Sequence, residues 1–252
     1  MNYKWKEHKS MKYAIEVNKL RKEFGLKTAV KDISFQVQEK TLFSLLGVNG
    51  AGKTTTIRML TGLSRPTSGD AFVLGHSITT DLNEVKKVSN VSTQDTAVAP
   101  NLTVRENLEF MAGIYNIDKK QIQERTNEMI QLFSLQEVEN SKAKTLSGGW
   151  QRKLSIAMAL ITDPKVLYLD EPTLGLDVLA RKDLWRIIEG LKKKVTIILT
   201  THYMEEAEHL SDAIAVMVGG EIKALGTLED LKKLTGKDNL EDAFVEIAEG
   251  GV

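Results

Sequence analysis

The sequence predicts an α/β fold with a β-rich start, an inserted helical region and a core of buried parallel strands. Apolar residues alternate with polar ones at residues 13–17 and 33–37, which is typical of half-buried antiparallel strands. Nearly continuous apolar runs at 41–46, 166–169 and 195–200 indicate strands that are buried on both faces. Because 252 residues suffice for one such domain, we expect residues 11–252 to form a single one.

The elements follow one another in α/β order. The buried strand at 41–46 ends in a glycine-rich turn and leads into a helix from Lys53 to Thr61. The region from about 95 to 162 has the apolar period of amphipathic helices and predicts a helical subdomain. Two short strands around Gly219 and Gly220 predict a β-hairpin. Further helices are predicted at residues 178–190 and 203–210.

Composition excludes several classes of protein. The 34 basic and 34 acidic residues give a formal net charge of +0, which lacks the basic excess of a nucleic-acid-binding protein. With 0 cysteines, a disulfide scaffold and a cysteine nucleophile are excluded. No apolar run approaches the roughly 20 residues of a membrane-spanning helix. Residues 1–10 carry lysines without a following apolar core, so they are expected to be a flexible extension of a cytoplasmic protein.

The glycine-rich turn after the first buried strand has the pattern of a phosphate-binding loop. Residues 47–55 read GVNGAGKTT, in which Gly-Lys-Thr follows the first glycine after four residues. The glycines let backbone N–H groups and the helix N-terminus face the α- and β-phosphates of a nucleotide. Lys53 would reach the β- and γ-phosphates, and the Thr54 hydroxyl would bind Mg²⁺. The expected nucleotide-binding residues are Gly47, Asn49, Gly50, Ala51, Gly52, Lys53, Thr54 and Thr55.

Two adjacent carboxylates follow the apolar run at 166–169. Ligands of open parallel sheets bind at the carboxyl ends of the strands, so Asp170 is expected to hold the Mg²⁺ shell. Glu171 is expected to point differently and to serve as the general base that takes a proton from attacking water. Taken alone, such a pair is more often a loop start or a helix cap. The phosphate-binding loop favours the catalytic interpretation.

A second glycine-containing turn, at residues 147–149, precedes another helical pattern. Ser147 is predicted to cap this helix, and Gly148 and Gly149 would let the backbone approach a ligand. An ordinary capped helix would show the same three residues. The chain therefore has two candidate phosphate-binding helix ends, of which only the one at Lys53 has a lysine and Mg²⁺ ligands.

In this order the motifs resemble the nucleotide-binding subunits of ATP-binding cassette (ABC) transporters, from Met11 onward. The resemblance implies a P-loop NTPase fold with an ABC-type core sheet, an N-terminal antiparallel β subdomain and an inserted α-helical signature subdomain. It also implies catalytic roles for Lys53, Gln94, Glu171 and His202. Mg²⁺ is expected at Thr54, Gln94 and Asp170. Nucleotide contacts are expected at Phe24, the phosphate-binding loop, Ser147, Gly148, Gly149 and Asp177.

Four of these positions have other interpretations. Phe24 is expected to stack on adenine, but Tyr13 competes for that role. Gln94, which follows a strand-like stretch at 88–92, is the metal- and water-sensing glutamine or an ordinary loop residue. His202 either hydrogen-bonds the γ-phosphate or caps a helix. Asp177 can cap the helix from Val178 and also contact a nucleotide.

One position departs from the family pattern. The fifth signature residue, most often glutamine in the family, is Trp150 here and is followed by Gln151. Trp150 offers one donor and a broad ring, so contacts of that glutamine are not carried over. Contact between Trp150 and nucleotide stays open.

The resemblance also predicts cofactors and partners. ATP and Mg²⁺ are the expected cofactors, and a second ABC ATPase subunit, in a homodimer, would pack head to tail around two ATP. The expected transport partners are integral membrane permease subunits. This protein would bind them at the inner face of the cell membrane. Residues 47–75 look like those of drug, lantibiotic, sodium or polysaccharide exporters. The alternative is a soluble ABC ATPase on ribosomes or DNA, which a single phosphate loop and neutral charge disfavour.

Overall fold

The computed structural model describes residues 13–251, so the extension expected at 1–10 lies outside the described residues. The strands in chain order are β1 (Tyr13–Phe24), β2 (Lys27–Gln38), β3 (Leu42–Leu46), β4 (Ser68–Val73), β5 (His76–Ser77), β6 (Ser89–Ser92), β7 (Val166–Asp170), β8 (Thr196–Thr201), β9 (Ala213–Val218) and β10 (Glu221–Gly226). The helices are α1 (Lys53–Leu60), α2 (Leu82–Val88), α3 (Val104–Ile114), α4 (Lys119–Leu132), α5 (Gly148–Leu160), α6 (Val178–Leu191), α7 (Met204–Leu210), α8 (Leu228–Thr235) and α9 (Leu240–Glu249). Within residues 13–251, no helix is long and apolar enough to cross a membrane.

These elements form two sheets. The smaller sheet has the order β2-β1-β4-β5 and is antiparallel throughout. The larger sheet has the order β10-β9-β3-β8-β7-β6, in which every pair is parallel except β10 with β9. β9 and β10 are joined through Gly219 and Gly220, so the predicted hairpin is confirmed. The predicted α/β class with an antiparallel N-terminal sheet is confirmed as well.

The larger sheet is the centre of the core. Every residue of β3, β7 and β8 is buried, because both faces of the sheet are covered. Phe43, Tyr168 and Ile198 point to one face, where they pack with α1 and the smaller sheet. Leu167 and Leu199 point to the opposite face, where they pack with α3 to α6. Because successive side chains of a strand point to opposite faces, the larger sheet packs against one layer on each face.

Strand register brings polar residues of neighbouring strands side by side at the carboxyl ends of the strands. Asp170 of β7 lies opposite Thr200 of β8, and Leu46 of β3 lies opposite Thr201. The carboxyl ends of β3, β7 and β8 therefore reach the same edge of the sheet. The loops that follow β3 and β7 therefore begin at that same edge.

Several boundaries and elements differ from the sequence prediction. Val88 ends α2 and the strand begins at Ser89, while α7 begins at Met204 after Tyr203 at its N-cap position. β4, β5, α2, α8 and α9 were not predicted. β4 is held by pairing with β1, with Ile15 opposite Val73, a contact that local sequence does not encode.

Candidate nucleotide-binding and hydrolysis site

A cleft of ≈ 410 Å³ lies beside the loop that follows β3. Loop residues, the end of β1 and the turn after β7 all line it, which brings residues distant in sequence together. Its lining residues include Phe24, Asn49, Gly50, Ala51, Gly52, Lys53, Thr54, Thr55, Gln94 and Glu171. The cleft is therefore the place where most of the residues predicted for nucleotide binding meet.

Two glycines of the loop cannot be replaced without moving its neighbours. A Cβ atom added at Gly47 would lie 2.3 Å from the Met217 carbonyl oxygen. Gly52, which precedes α1, has φ of 108°, and a Cβ atom there would lie 2.6 Å from the Ala29 oxygen. Both positions need glycine because the backbone passes other backbone closely and, at Gly52, turns left-handed. The first N–H groups of α1 are thereby left free for an anion.

Lys53 is the first residue of α1 and is only 4% exposed. Its ammonium donates hydrogen bonds to the carbonyl oxygens of Gly47 at 2.7 Å and Val48 at 3.2 Å. It also lies 3.2 Å from Oε1 of Glu171. The lysine head group is therefore held over the loop, directly beside the carboxylate predicted to be the base.

Asp170 and Thr54 form the oxygen pair predicted for Mg²⁺. The Thr54 hydroxyl donates to Oδ1 of Asp170 at 3.0 Å, and the Thr200 hydroxyl donates to the same oxygen at 2.5 Å. A hydroxyl and a carboxylate are hard oxygen ligands that suit Mg²⁺, which keeps water and phosphate oxygens as its other ligands. Among the described residues, no group of three or more acidic, histidine or cysteine side chains could hold a metal alone. The residues present therefore fit a metal that arrives with the nucleotide.

Glu171 lies in an unusual backbone conformation. Its φ is 47°, in the left-handed region, which costs on the order of 1–3 kcal/mol for a residue with a side chain. This turn sends the carboxylate away from Asp170, as expected from the sequence. Its Oε2 lies 3.0 Å from Nδ1 of His202, while Oε1 contacts Lys53. Both carboxylate oxygens are thus engaged, and His202 and Lys53 are brought to the same group.

Gln94 and Phe24 both line the cleft. Gln94 is exposed, and its backbone oxygen accepts a hydrogen bond from Arg152 of α5 at 2.5 Å. Phe24 is 54% exposed at the end of β1, and the Lys22 ammonium lies 4.9 Å from the centre of its ring. Tyr13, the competing aromatic, is at the other end of β1, roughly 36 Å away for a strand of this length, and lines a different cavity.

The second glycine-containing turn does not reach this cleft. Ser147 and Gly148 are exposed at the start of α5, and Ser147 occupies the N-cap position without a side-chain capping bond. Gly149 approaches α6 so closely that an added Cβ atom would lie 3.2 Å from that of Ala180. Asp177 accepts from the N–H groups of Leu179 at 2.9 Å and Ala180 at 3.0 Å, so it caps α6. Neither Asp177 nor residues 147–149 line the cleft around Lys53.

Trp150 is anchored within its own chain. Its ring lies 4.6 Å from the Lys153 ammonium, and Lys153 pairs with Asp183 of α6. The amide of Gln151 is engaged by the segment that precedes α5, because it donates to the oxygens of Ala143 and Leu146. Gln151 therefore does not stand in for the family's fifth signature residue.

Two residues of the site were missed by sequence reasoning. Thr200 holds Asp170 and also accepts from the Glu171 N–H at 3.0 Å. Arg152, only 4% exposed, fixes the backbone oxygens of Thr93 and Gln94, and burial lowers the pKa of its guanidinium. The only sequence signal for Thr200 is its position at the end of an apolar strand, and Arg152 stands out only as a charge on an otherwise apolar helix face.

Comparison with known proteins supports the family resemblance. The sequence model of the ABC transporter family matches residues 30–174. The human phospholipid-transporting ATPase ABCA3 is 41% identical over 226 residues, which are 88% of this chain and 13% of ABCA3. The probable multidrug ABC transporter ATP-binding protein YbhF of Escherichia coli (strain K12) is 36% identical over 239 residues, 92% of this chain and 41% of YbhF. The chain thus spans less than half the length of these curated relatives.

Solved structures show the same fold. One described as the ATP binding subunit of an ABC transporter has a TM-score of 0.83 and 28% sequence identity, covering 93% of this chain and 99% of that one. A dimeric ATP-binding cassette, MJ0796, bound to ADP and Pi, has a TM-score of 0.76 and 24% identity, with 85% and 98% coverage. At that identity the second likeness concerns the fold alone. The ABC-type arrangement of the two sheets and the helices is therefore confirmed.

Proposed function

This chain belongs to the ABC transporter ATPase family, and we propose that it binds and hydrolyses Mg-ATP to drive transport through separate membrane subunits. The observation that carries the proposal is the convergence on one cleft edge of Lys53, Thr54, Asp170, Glu171 and His202. These residues come from three separate segments, namely the start of α1, the end of β7 with the residue after it, and the turn after β8, yet each contacts another member of the set. They are a cation, oxygen ligands for Mg²⁺ and a base, which are the groups that phosphoryl transfer needs.

Nucleotide would bind with its adenine on Phe24 and its phosphates over the loop. The N–H groups at the start of α1 would donate to the β-phosphate, and Lys53 would bind the γ-phosphate by a charge-assisted hydrogen bond. Lys53 now contacts two carbonyl oxygens and Glu171, all of which a phosphate oxygen can replace. We therefore infer that phosphate binding separates Lys53 from Glu171.

The separation leaves Glu171 available for proton transfer. Oε1 would accept a hydrogen bond from the attacking water and then its proton, while Oε2 stays hydrogen-bonded to His202. Bound Mg²⁺, held by Thr54 and Asp170, would neutralise charge on the phosphoryl oxygens. Thr200 would keep Asp170 oriented for that role. Gln94 would line the side of the cleft where the water enters.

We further propose that two such subunits form a head-to-tail homodimer. Ser147, Gly148, Gly149 and Asp177 lie away from the cleft of their own chain, so they are free to face a nucleotide held by a second copy. Each glycine-rich helix end would then complete the other subunit's site. Such a symmetric dimer would hold two ATP molecules between its subunits.

Membrane subunits are the second proposed partner. Phe110 and Ile114 of α3, and Tyr115 directly after it, are apolar side chains that are 54%, 55% and 44% exposed. A cytoplasmic helix of a permease is proposed to cover these side chains, which would place this protein on the inner face of the membrane. The names of ABCA3 and YbhF, a phospholipid transporter and a probable multidrug transporter, support export of a lipid or an amphiphilic drug.

The first test concerns Lys53. Lys53→Ala is expected to abolish ATP binding and hydrolysis, and Lys165→Ala, which changes an exposed lysine outside the cleft, is the matched control. Binding would be measured by calorimetry and hydrolysis by phosphate release. Undiminished turnover of the Lys53 variant would remove the assignment of the phosphate-binding loop.

A second experiment separates the transporter from the soluble alternative. Tagged Glu171→Gln protein would be isolated from mildly solubilised native cells with Mg-ATP, and the proteins bound to it would be identified. A polytopic membrane protein would support the transporter, whereas ribosomes or DNA would favour a soluble ATPase.

A further inference from the structure

Glu206 is a buried carboxylic acid that the proposed hydrolysis mechanism does not use. It lies in the first turn of α7, four residues after His202, and is 0% exposed. Its Oε1 accepts two hydrogen bonds, from the Thr173 hydroxyl at 2.8 Å and from the Trp185 indole N–H at 3.0 Å. Its Oε2 has no hydrogen-bond partner among residues 13–251. Glu206 is thus held through one oxygen by two side chains.

Charged and aromatic groups surround this carboxyl group. The guanidinium of Arg181 lies 5.6 Å from the ring of Trp185 and 5.5 Å from the ring of Tyr203. His209 stacks on Trp185 with the ring centroids 5.1 Å apart. Burial raises the pKa of Glu206, while the positive charge of Arg181 works in the opposite direction.

The two hydrogen bonds of Glu206 join three segments of the chain. Thr173 lies two residues after Glu171, in the turn that leads to Asp177. Trp185 belongs to α6, which begins beyond Asp177. Glu206 itself is fixed to α7, and the turn just before this helix carries His202. The carboxyl group therefore ties the segment of the predicted base to the segment of its histidine partner.

Packing alone does not account for a carboxyl group at this position. An apolar side chain of similar size would fill the same space without the cost of removing a carboxyl group from water. What an apolar side chain cannot do is accept the hydrogen bonds of Thr173 and Trp185. Those two bonds are the contribution specific to Glu206.

We propose that Glu206 is a positioning residue for ATP hydrolysis, which holds the turn after Glu171 and the turn of His202 at the distance at which these two side chains meet. Glu171 and His202 are joined by a single 3.0 Å hydrogen bond between separate segments. A small displacement of either segment breaks that contact and misplaces the base. The inference rests on the proposed function, since it assigns Glu206 to the hydrolysis step of that site.

Glu206→Leu is the direct test. We expect kcat for ATP to fall by about tenfold or more, because misplacing a reacting group by about 1 Å can cost a hundredfold. The KM for ATP is expected to stay within about twofold, because no nucleotide-binding group is changed. Glu206→Gln keeps an oxygen that accepts both hydrogen bonds, so this variant is expected to restore most of kcat. A purely structural role predicts no such split between kcat and KM.

Thr173→Val provides a milder second variant that removes one of the two bonds. Its control is Thr126→Val in α4, which changes another fully buried threonine whose hydroxyl has no hydrogen-bond partner in residues 13–251. We expect Thr173→Val to lower kcat and Thr126→Val to leave it unchanged. If Glu206→Leu does not fold, the comparison of kcat between Thr173→Val and Thr126→Val tests the positioning role instead.

The outcomes separate the inference from the proposed function. A wild-type protein that does not hydrolyse Mg-ATP contradicts the proposed function. A wild-type enzyme whose kcat is matched by Glu206→Leu or, where that variant does not fold, by Thr173→Val contradicts the positioning role alone. Loss of ATP binding together with hydrolysis in Glu206→Leu also contradicts it, because Glu206 would then support the fold of the whole site.

Discussion

At the scale of single residues, the candidate site is defined by pairs that span separate loops. Glu171 meets Lys53 through one oxygen and His202 through the other. Asp170, its neighbour in sequence, meets Thr54 and Thr200 instead. The two adjacent carboxylates therefore have different partners, and the backbone at Glu171 is left-handed, with φ of 47°. One strand end thus carries both the proposed metal ligand and the proposed base.

Thr200 allows a test of how Asp170 is held. Thr200→Val removes the hydroxyl that donates to Asp170 at 2.5 Å, so the carboxylate loses the bond that orients it toward Thr54. We expect the Mg²⁺ concentration for half-maximal ATPase activity to rise about 10–100-fold, as with other partners of metal ligands. It would be measured by titrating Mg²⁺ at fixed ATP.

The matched control lies on the same strand. Thr196→Val changes a threonine at the other end of β8, whose hydroxyl oxygen accepts from the Lys40 N–H at 2.9 Å. Its Mg²⁺ dependence is expected to equal that of the wild type. Equal Mg²⁺ dependence of Thr200→Val and the wild type would contradict the role of Thr200.

Motifs in the sequence identify side chains with chemistry, but not the residues that orient them. Lys53, Asp170 and Glu171 are recognised because spacing and neighbouring strands are local information. Thr200 and Glu206 act through strand register and through contacts between helices, which only the folded chain defines. Sequence reasoning therefore named the candidate reacting groups, which stay predictions, and did not identify the residues that contact and orient them.

At the scale of elements, α6 begins at a residue with two potential roles. Asp177 caps the helix through two hydrogen bonds, and the family resemblance also predicts a nucleotide contact for it. Asp177→Ala is expected to lower the free energy of unfolding by about 1 kcal/mol, the usual loss for an N-cap. Asp177→Asn retains the cap and should unfold like the wild type in urea. Equal stability of the alanine variant and the wild type would contradict the capping role.

The start of α3 gives a pH-dependent prediction. Glu106 accepts from the Thr103 N–H at 2.7 Å, and its hydrogen bonds with the backbone and hydroxyl of Thr103 lower the pKa of Glu106 from 4.5. A lowered folded-state pKa stabilises the protein fully above the unfolded value, and that stabilisation is lost as the pH falls through the folded value.

Glu106→Gln keeps the capping-box pattern without a titrating group. The stability of the wild type relative to this variant is therefore expected to be constant above about pH 5 and to decrease below 4.5. Urea unfolding at several pH values measures this difference. A difference that does not change with pH would rule out the capping carboxylate as its source.

The buried strands of the central sheet were predicted from local pattern, whereas β4, which is held by distant pairing, and the amphipathic helix α9 were not. β3 and β7 are continuous apolar runs, because both faces of the central sheet are covered. β4 begins with Ser68, Gly69 and Asp70, which have no apolar side chains. Its place in the sheet comes from its pairing with β1. α9 is amphipathic and packs Leu240, Phe244 and Ile247 on the outer strands, but it lies after the last motif and no role was assigned to it.

At the scale of the whole molecule, the two glycine-rich helix ends lie on different surfaces. The cleft at Lys53 has a cation and the proposed metal ligands, whereas the turn at Ser147 is exposed and has neither. Gly149 and Lys153 contact α6, so the turn at Ser147 and the cap of α6 are held together as one surface. That surface lies outside the cleft of its own chain, so only a second copy could bring a cleft-bound nucleotide to it. This is the physical reason for proposing a dimer.

The dimer can be trapped if hydrolysis is what separates its subunits. Glu171→Gln removes the base while the loop, Thr54 and Asp170 remain, so Mg-ATP should still bind and two subunits should stay closed around it. We expect this variant to elute as a monomer without nucleotide and as a dimer with Mg-ATP, by size-exclusion chromatography with light scattering. The double variant Lys53→Ala with Glu171→Gln should remain monomeric, because its loop no longer holds the γ-phosphate. A Glu171→Gln protein that binds Mg-ATP and still remains monomeric would contradict the head-to-tail arrangement, while leaving the nucleotide site of the single chain intact.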